Sequence, residues 1–172
     1  MKKKIIFMLI AVIIMLGITS CGNNDSAENN EPQESYSESE IENATFLIIA
    51  GDSTHTVSMG DLLTIGGVDV SSSPRDVLRE FKGVSLVNIF NHLGIDYSGA
   101  ETVGFMSSDG FMSAVSIDEA TDGANTFIVF EERGLPLGTI ENEDGCGPFM
   151  AVIALDPFPN RWTKYLTEVI IQ

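Results

Sequence analysis

The stretch that decides the fold runs from Thr126 to Ile171. It reads Thr126-Phe-Ile-Val-Phe-Glu131, Arg133-Gly-Leu-Pro-Leu137, Gly145-Cys-Gly-Pro148, Phe149-Met-Ala-Val-Ile-Ala154 and Arg161-Trp-Thr-Lys-Tyr-Leu-Thr-Glu-Val-Ile-Ile171. Three short apolar runs, rich in β-branched and aromatic residues, are separated by Gly and Pro; each reads as a strand. Between the last two stand Arg161 and Lys164, flanking the single tryptophan of the chain, Trp162.

Working outward, Phe46-Leu-Ile-Ile-Ala50 is a continuous apolar run and reads as a buried strand. Thr56-Val57 offers a short return strand. Ser58-Met-Gly-Asp61 has the spacing of a capping box with Asp in place of Glu, opening a helix through Leu62, Leu63 and Ile65 that Gly66-Gly67 stops. Val68-Asp-Val70 alternates as a strand. Leu86, Phe90 and Leu93 form an apolar stripe that predicts a helix over Val84–Leu93, closed by Gly94. Thr102–Met106 and Phe111–Val115 flank Ser107-Ser-Asp-Gly110, a hairpin signal. Ile117–Ala120 predicts a helical turn. With about six or seven strands and two or three short helices, residues 45–172 read as one β-dominated α+β domain.

The N-terminus reads differently. Lys2, Lys3 and Lys4 precede an apolar run from Ile5 to Gly17, too short for a span of roughly 20 residues and suited to a signal peptide. Ile18-Thr-Ser-Cys21 resembles a bacterial lipobox, so residues 1–21 are expected to be a lipoprotein signal with Cys21 as the lipidated N-terminus. An uncleaved anchor helix is the alternative. Both put the remainder on the extracytoplasmic face of the cell membrane. Residues 22–44, rich in Asn, Glu and Ser, read as a disordered acidic tether. Net charge is −16, and removing the three lysines makes it −19. A field of that sign repels nucleic acid and favours neutral or cationic partners.

Loss of Cys21 to lipid leaves Cys146 alone, between two glycines in an acidic loop that disfavours a reactive thiolate. His55 and His92 share no ligand spacing, and Glu141–Asp144 lacks the spacing of an EF-hand. The pairs Asp118/Glu119, Glu131/Glu132 and Glu143/Asp144 are sequence neighbours, which on a strand point to opposite faces and read as solvated charge.

Taken in order, these residues resemble the oxidoreductase molybdopterin-binding domain, the sulfite-oxidase-type fold. Met59-Gly-Asp-Leu-Leu63 matches its leucine-rich turn. Gly83-Val-Ser-Leu86 and Leu93-Gly-Ile95 match a helix preceded by Gly-Val-Pro-Leu and ending in Gly-Val. Ser107-Ser-Asp-Gly-Phe111, Ile128-Val-Phe-Glu-Glu-Arg-Gly-Leu-Pro-Leu137, Gly145-Cys-Gly-Pro148 and Lys164-Tyr-Leu-Thr-Glu-Val169 match later segments. The resemblance covers nearly all of residues 45–172 and implies mixed sheets with short helices. The family holds molybdenum through a cysteine at the end of the strand after the leucine-rich turn. That strand here, Val68-Asp-Val70, runs into Ser71-Ser-Ser-Pro74 without one, and serine is a poor substitute for a soft thiolate. Met150 stands where the family often has Arg.

What the resemblance implies for a cofactor is therefore a residual anion or pterin site built from Ser72, Ser73, Arg161 and Lys164. The alternative is an exposed loop whose cations offset nearby acids. Two function classes follow. One is a binding or interaction module without cofactor, serving a membrane redox or transport protein. The other is a molybdopterin-dependent oxidoreductase, or electron-transfer component, that binds the cofactor without a protein thiolate. A solute-binding lipoprotein feeding a transporter is a third, though such proteins normally have two lobes.

Overall fold

The computed structural model of the protein describes residues 36–138 and 146–172; the signal segment, Cys21 and Glu141–Asp144 lie outside them. Ten strands and four α-helices occur among the described residues. In chain order they are α1 Glu38–Glu42, β1 Thr45–Ala50, β2 Ser53–Ser58, α2 Met59–Ile65, β3 Val68–Ser72, β4 Arg79–Ser85 and α3 Leu86–Leu93. There follow β5 Thr102–Ser107, β6 Met112–Ser116, α4 Ile117–Thr121, β7 Thr126–Glu132, β8 Leu135–Pro136, β9 Met150–Ile153 and β10 Leu166–Ile171. Single 3-10 turns occupy Pro74–Asp76 and Pro159–Arg161.

The strands form two sheets. The first has the order β2-β1-β10-β5-β6; β1 and β10 run parallel and the other pairs antiparallel. The second has the order β3-β4-β7-β8, all antiparallel, with β9 sharing the free edge of β7. Strand β7 lies at its centre, and Thr126–Phe130 are buried on both faces, as a continuous apolar run requires. Phe46, Ile48, Phe105 and Val169 of the first sheet and Phe81, Val84, Ile128 and Val152 of the second belong to one core. Phe46 meets Phe149 edge-on at 5.1 Å. Ile89 and Phe90 of α3 are fully buried, so the predicted stripe is the packed face of that helix.

The α+β, β-dominated class is thus the one observed, with three local differences from the sequence reading. The first concerns β4. Arg79-Glu-Phe-Lys-Gly-Val-Ser85 forms a strand whose Val84 pairs with Ile128, so α3 begins at Leu86 rather than Val84. Ser85 is held extended at φ −63°, ψ 140°, which ends the strand and starts the helix in one residue. Gly83 is needed here: a Cβ would stand 2.6 Å from the Ile128 carbonyl oxygen. At this point the ladder skips from Glu131 to Val129 on the partner strand, leaving Phe130 unopposed.

The second difference is at the start of the domain. Residues 36–44 do not behave as tether. Ser37 and Glu40 close a capping box on α1, Ile41 is buried in the core, and the Tyr36 N–H donates to the Gly138 carbonyl at 2.8 Å. Ile41, the one large aliphatic residue of an otherwise polar stretch, supplies the reason. Burying such a side chain is worth about 1.5–3 kcal/mol, enough to order one helical turn that is already capped. The third difference is the count of helices, four against two or three, because α1 was not foreseen.

Candidate functional site

Two of the four sequence-predicted site residues, Ser72 and Arg161, have their polar groups bonded within the protein, both to the loop after β9. Ser72, at the end of β3, is 3% exposed, and its hydroxyl donates to the Ala154 carbonyl at 2.7 Å. It is a structural strut between β3 and the loop after β9. Ser73 is exposed, beside the turn at Pro74. Arg161 is held by two carboxylates: Nε donates to Asp156 Oδ2 at 2.8 Å, and Nη2 donates to Asp156 Oδ1 at 2.5 Å and to Glu119 Oε1 at 2.9 Å. These partners raise its pKa further above the ordinary guanidinium range. Glu119 falls to about 2, first through Arg161 and then through the Ser116 backbone N–H. The polar groups of Ser72 and Arg161 already bind the protein itself. The pairing of acids with Arg161 is the alternative raised above for these cations.

Lys164 is different. It is exposed and lines an open cleft of about 520 Å³. Trp162 forms its floor, 5% exposed, with Nε1 donating to the Ile153 carbonyl at 3.1 Å. Phe81 abuts that indole edge-on at 5.6 Å. The Arg79 guanidinium sits over both rings, 5.2 Å from Phe81 and 5.4 Å from Trp162. It also makes a two-pronged bond to Glu132, Nε to Oε1 at 2.7 Å and Nη2 to Oε2 at 2.6 Å, and Glu132 is 3% exposed. Planar guanidinium, carboxylate and two rings thus lock one another in place. The register of β4 on β7 puts the two strand residues in reach, since Phe81 lies opposite Glu132.

The far wall comes from the β5–β6 hairpin. Ser107, Asp109 and Phe111 line the cleft there, and Pro159 and Asn160 close its rim. The Asp109 carboxylate accepts from the Phe111 N–H at 2.8 Å. That bond chiefly holds its pKa below the ordinary range, and the nearby Ser107 hydroxyl adds to the effect without reaching hydrogen-bond geometry. Among the described residues, Ser107 Oγ is the one buried side-chain polar atom without a hydrogen-bond partner. Phe111 remains 43% exposed.

Sequence reasoning missed Arg79, Glu132 and Ser107. Arg79 and Glu132 are far apart in the chain and nothing local marks them as partners. Ser107 stood in the hairpin signal as a turn residue, and it does open the turn, its carbonyl accepting from the Gly110 N–H; what the signal did not show is that it is also the buried last residue of β5. Cys146 is fully buried. His55 lies on β2 and His92 on α3, and no group of three or more His, Cys, Asp or Glu side chains among the described residues could hold a metal ion. Glu131 and Glu132 diverge as strand neighbours do, Glu132 buried and Glu131 half-buried.

The fold has a counterpart among solved structures. No protein-family model matches the sequence, and no characterised relative matches it. The crystal structure of the sulfane dehydrogenase SoxCD from Paracoccus pantotrophus is similar, with a TM-score of 0.60 at 12% identity. The match covers 76% of this chain and 38% of that one, so this chain spans well under half of that protein's length. At this identity the likeness shows the fold, which is the sulfite-oxidase type, and nothing further.

A molybdopterin cofactor is what the fold family implies, and the donors present do not suit it. The end of β3 presents a buried serine bonded to a carbonyl, not a thiolate facing a cavity. The one described cysteine lies in the core. Among the described residues, the end of β3 therefore offers a soft metal centre no thiolate.

Proposed function

We propose that this protein is a binding module without cofactor, built on the sulfite-oxidase-type fold and held by lipid on the extracytoplasmic face of the cell membrane. The observation that carries the reading is Ser72: where the family has its metal-binding cysteine, this chain turns a hydroxyl inward onto Ala154. The lipobox-like Ile18-Thr-Ser-Cys21 supports the anchor, and the net charge of −16 supports partners other than nucleic acid. A neighbouring membrane redox or transport protein is the partner class that suits such a position. The ligand site is the cleft over Trp162, and Arg161 is a structural residue outside it.

Expression in a host that makes molybdopterin tests the first half. Metal analysis and pterin fluorescence of the denatured extract should find neither molybdenum nor pterin, and stoichiometric molybdenum would overturn the reading in favour of a molybdopterin-dependent oxidoreductase. Cys21→Ser tests the second half, by moving the protein from the membrane fraction to the soluble one.

A further inference from the structure

We propose that a second cavity, beside helix α1, binds a small methylated ammonium ion such as choline, its cationic head against Tyr36, Tyr165 and Glu40. The cavity shares no lining residue with the cleft over Trp162. The proposal therefore goes beyond the reading above and holds whether or not a cofactor is bound.

The sign of the site comes from Glu40. The cavity measures about 420 Å³, Glu40 is its one charged side chain, and no Lys, Arg or His lines it. This carboxylate is not neutralised. Its Oε2 accepts from the Ser37 N–H at 2.8 Å and from the Ser37 hydroxyl at 2.7 Å, and among the described residues no ion pair reaches it. Those two bonds hold its pKa below the ordinary carboxylate range, so the charge stays on at neutral pH. The excess of acids over the whole chain has the same sign, which selects a cation over an anion.

Carbon supplies much of the wall. Tyr36, Tyr165 and Pro148 are half-buried there, and Leu166 is buried. Both tyrosines are fixed through the backbone. The Tyr36 N–H donates to the Gly138 carbonyl at 2.8 Å, and its ring seats against Gly138, where a Cβ would stand 2.7 Å from Cδ2. Tyr165 takes φ +50°, a left-handed conformation that a non-glycine residue keeps only where its surroundings impose it. Its N–H donates to the Cys146 carbonyl at 3.1 Å, and its carbonyl accepts from the Ser108 N–H at 3.0 Å. The chain thus holds an aromatic side chain on the cavity against its own backbone preference, as residues at ligand sites often do. Two tyrosines and one carboxylate suit a methylated ammonium, whose charge is spread over groups that need no hydrogen-bond acceptor and pack on aromatic carbon. A primary ammonium gives up three strong bonds to water and finds one charged acceptor. A metal ion finds one carboxylate, too few to hold it.

The chain has three tyrosines. Tyr36 and Tyr165 line the cavity, while Tyr97 lies against Phe90, ring centroids 5.6 Å apart, and serves as the reference. Titration with choline, followed by the NMR signals of the tyrosine rings, should shift Tyr36 and Tyr165 saturably and leave Tyr97 in place, with a Kd on the order of a millimolar. The neutral carbon isostere of choline, dimethylbutanol, should bind at least about tenfold more weakly, and ethanolamine more weakly than choline. Glu40→Gln keeps a side chain suited to the capping box and should weaken choline about threefold to fivefold, the range of an exposed ion pair. Tyr165→Leu should weaken it by a similar factor. The same head group occurs free and on phosphatidylcholine. Flotation of Cys21→Ser protein with phosphatidylcholine vesicles, and not with phosphatidylglycerol vesicles, assigns the lipid; a positive choline titration without flotation assigns a free solute. No saturable shift, equal affinity for dimethylbutanol, or ethanolamine binding as tightly as choline overturns the proposal, as does full affinity in Glu40→Gln or in folded Tyr165→Leu. Molybdenum in the protein would defeat the cofactor-free reading and leave this one standing.

Discussion

Glu132→Ala tests whether the locked assembly at the cleft floor stabilises the domain. The substitution leaves the Arg79 side chain, 19% exposed in the intact protein, without the carboxylate that now faces it at 2.6 and 2.7 Å. Removing one partner of a buried pair typically costs about 3–5 kcal/mol, because the survivor keeps its desolvation penalty. Two features place this case at the lower end. Arg79 reaches some solvent, and its contacts with the Phe81 and Trp162 rings, about 0.5–2 kcal/mol, persist. The expected loss is therefore about 3 kcal/mol, and a melting temperature lower by roughly 9–12 °C for a domain of this size. Denaturant unfolding followed by Trp162 fluorescence measures it. The double substitution Arg79→Met with Glu132→Leu should recover most of the loss, since apolar replacement of both partners is often neutral. A loss under about 1 kcal/mol in the single variant, or a double variant no better than it, would refute the reasoning.

Three further outcomes are expected. The Glu119–Arg161 pair contributes stability that is complete above the ordinary Glu pKa of 4.5 and fades as pH falls toward about 2, because the folded pKa is depressed. Glu119→Gln should accordingly flatten the pH dependence of the denaturation midpoint between those limits, and an unchanged slope would discount the pair. At Gly147, a Cβ would stand 2.2 Å from the Leu137 carbonyl carbon, so Gly147→Ala should cost at least about 1–3 kcal/mol by overpacking, read from denaturant unfolding. Cys146 is 0% exposed, so a thiol reagent should label it only at the rate of unfolding; prompt labelling of native protein would contradict the burial.

The fold could be read from the chain because its strongest signals are local. The run Thr126–Glu131 is apolar on consecutive residues and became the central strand β7; Ser107-Ser-Asp-Gly110 lies between paired strands; Ser58 and Asp61 close the box their spacing announced. Strand β4 escaped because Arg79, Glu80 and Lys82 hide a strand whose inward residues are Phe81, Gly83 and Val84. Helix α1 escaped because one isoleucine among glutamates and serines gives no periodicity, and only the assembled core shows where Ile41 goes. Of the residues expected to form a site, Lys164 lines the cleft, beside a Trp162 that the sequence offered only as an aromatic between two cations. Arg161 misled because a cation beside an aromatic residue looks available until Asp156 and Glu119 are brought to it by folding. Ser72 misled for the mirror reason, since its partner is a backbone carbonyl 82 residues away, which no side-chain pattern can announce.

The placement of β10 has a consequence for assembly. It is the final strand in chain order, yet it lies third of five in its sheet, with β1 on one side and β5 on the other. Until Leu166–Ile171 arrives, the β1–β2 and β5–β6 hairpins have no bridge, and each alone is a marginal two-stranded ribbon. A chain emerging N-terminus first therefore carries both ribbons before the strand that joins them is made. Shortening it before Leu166 should leave two orphaned ribbons rather than a slightly smaller domain.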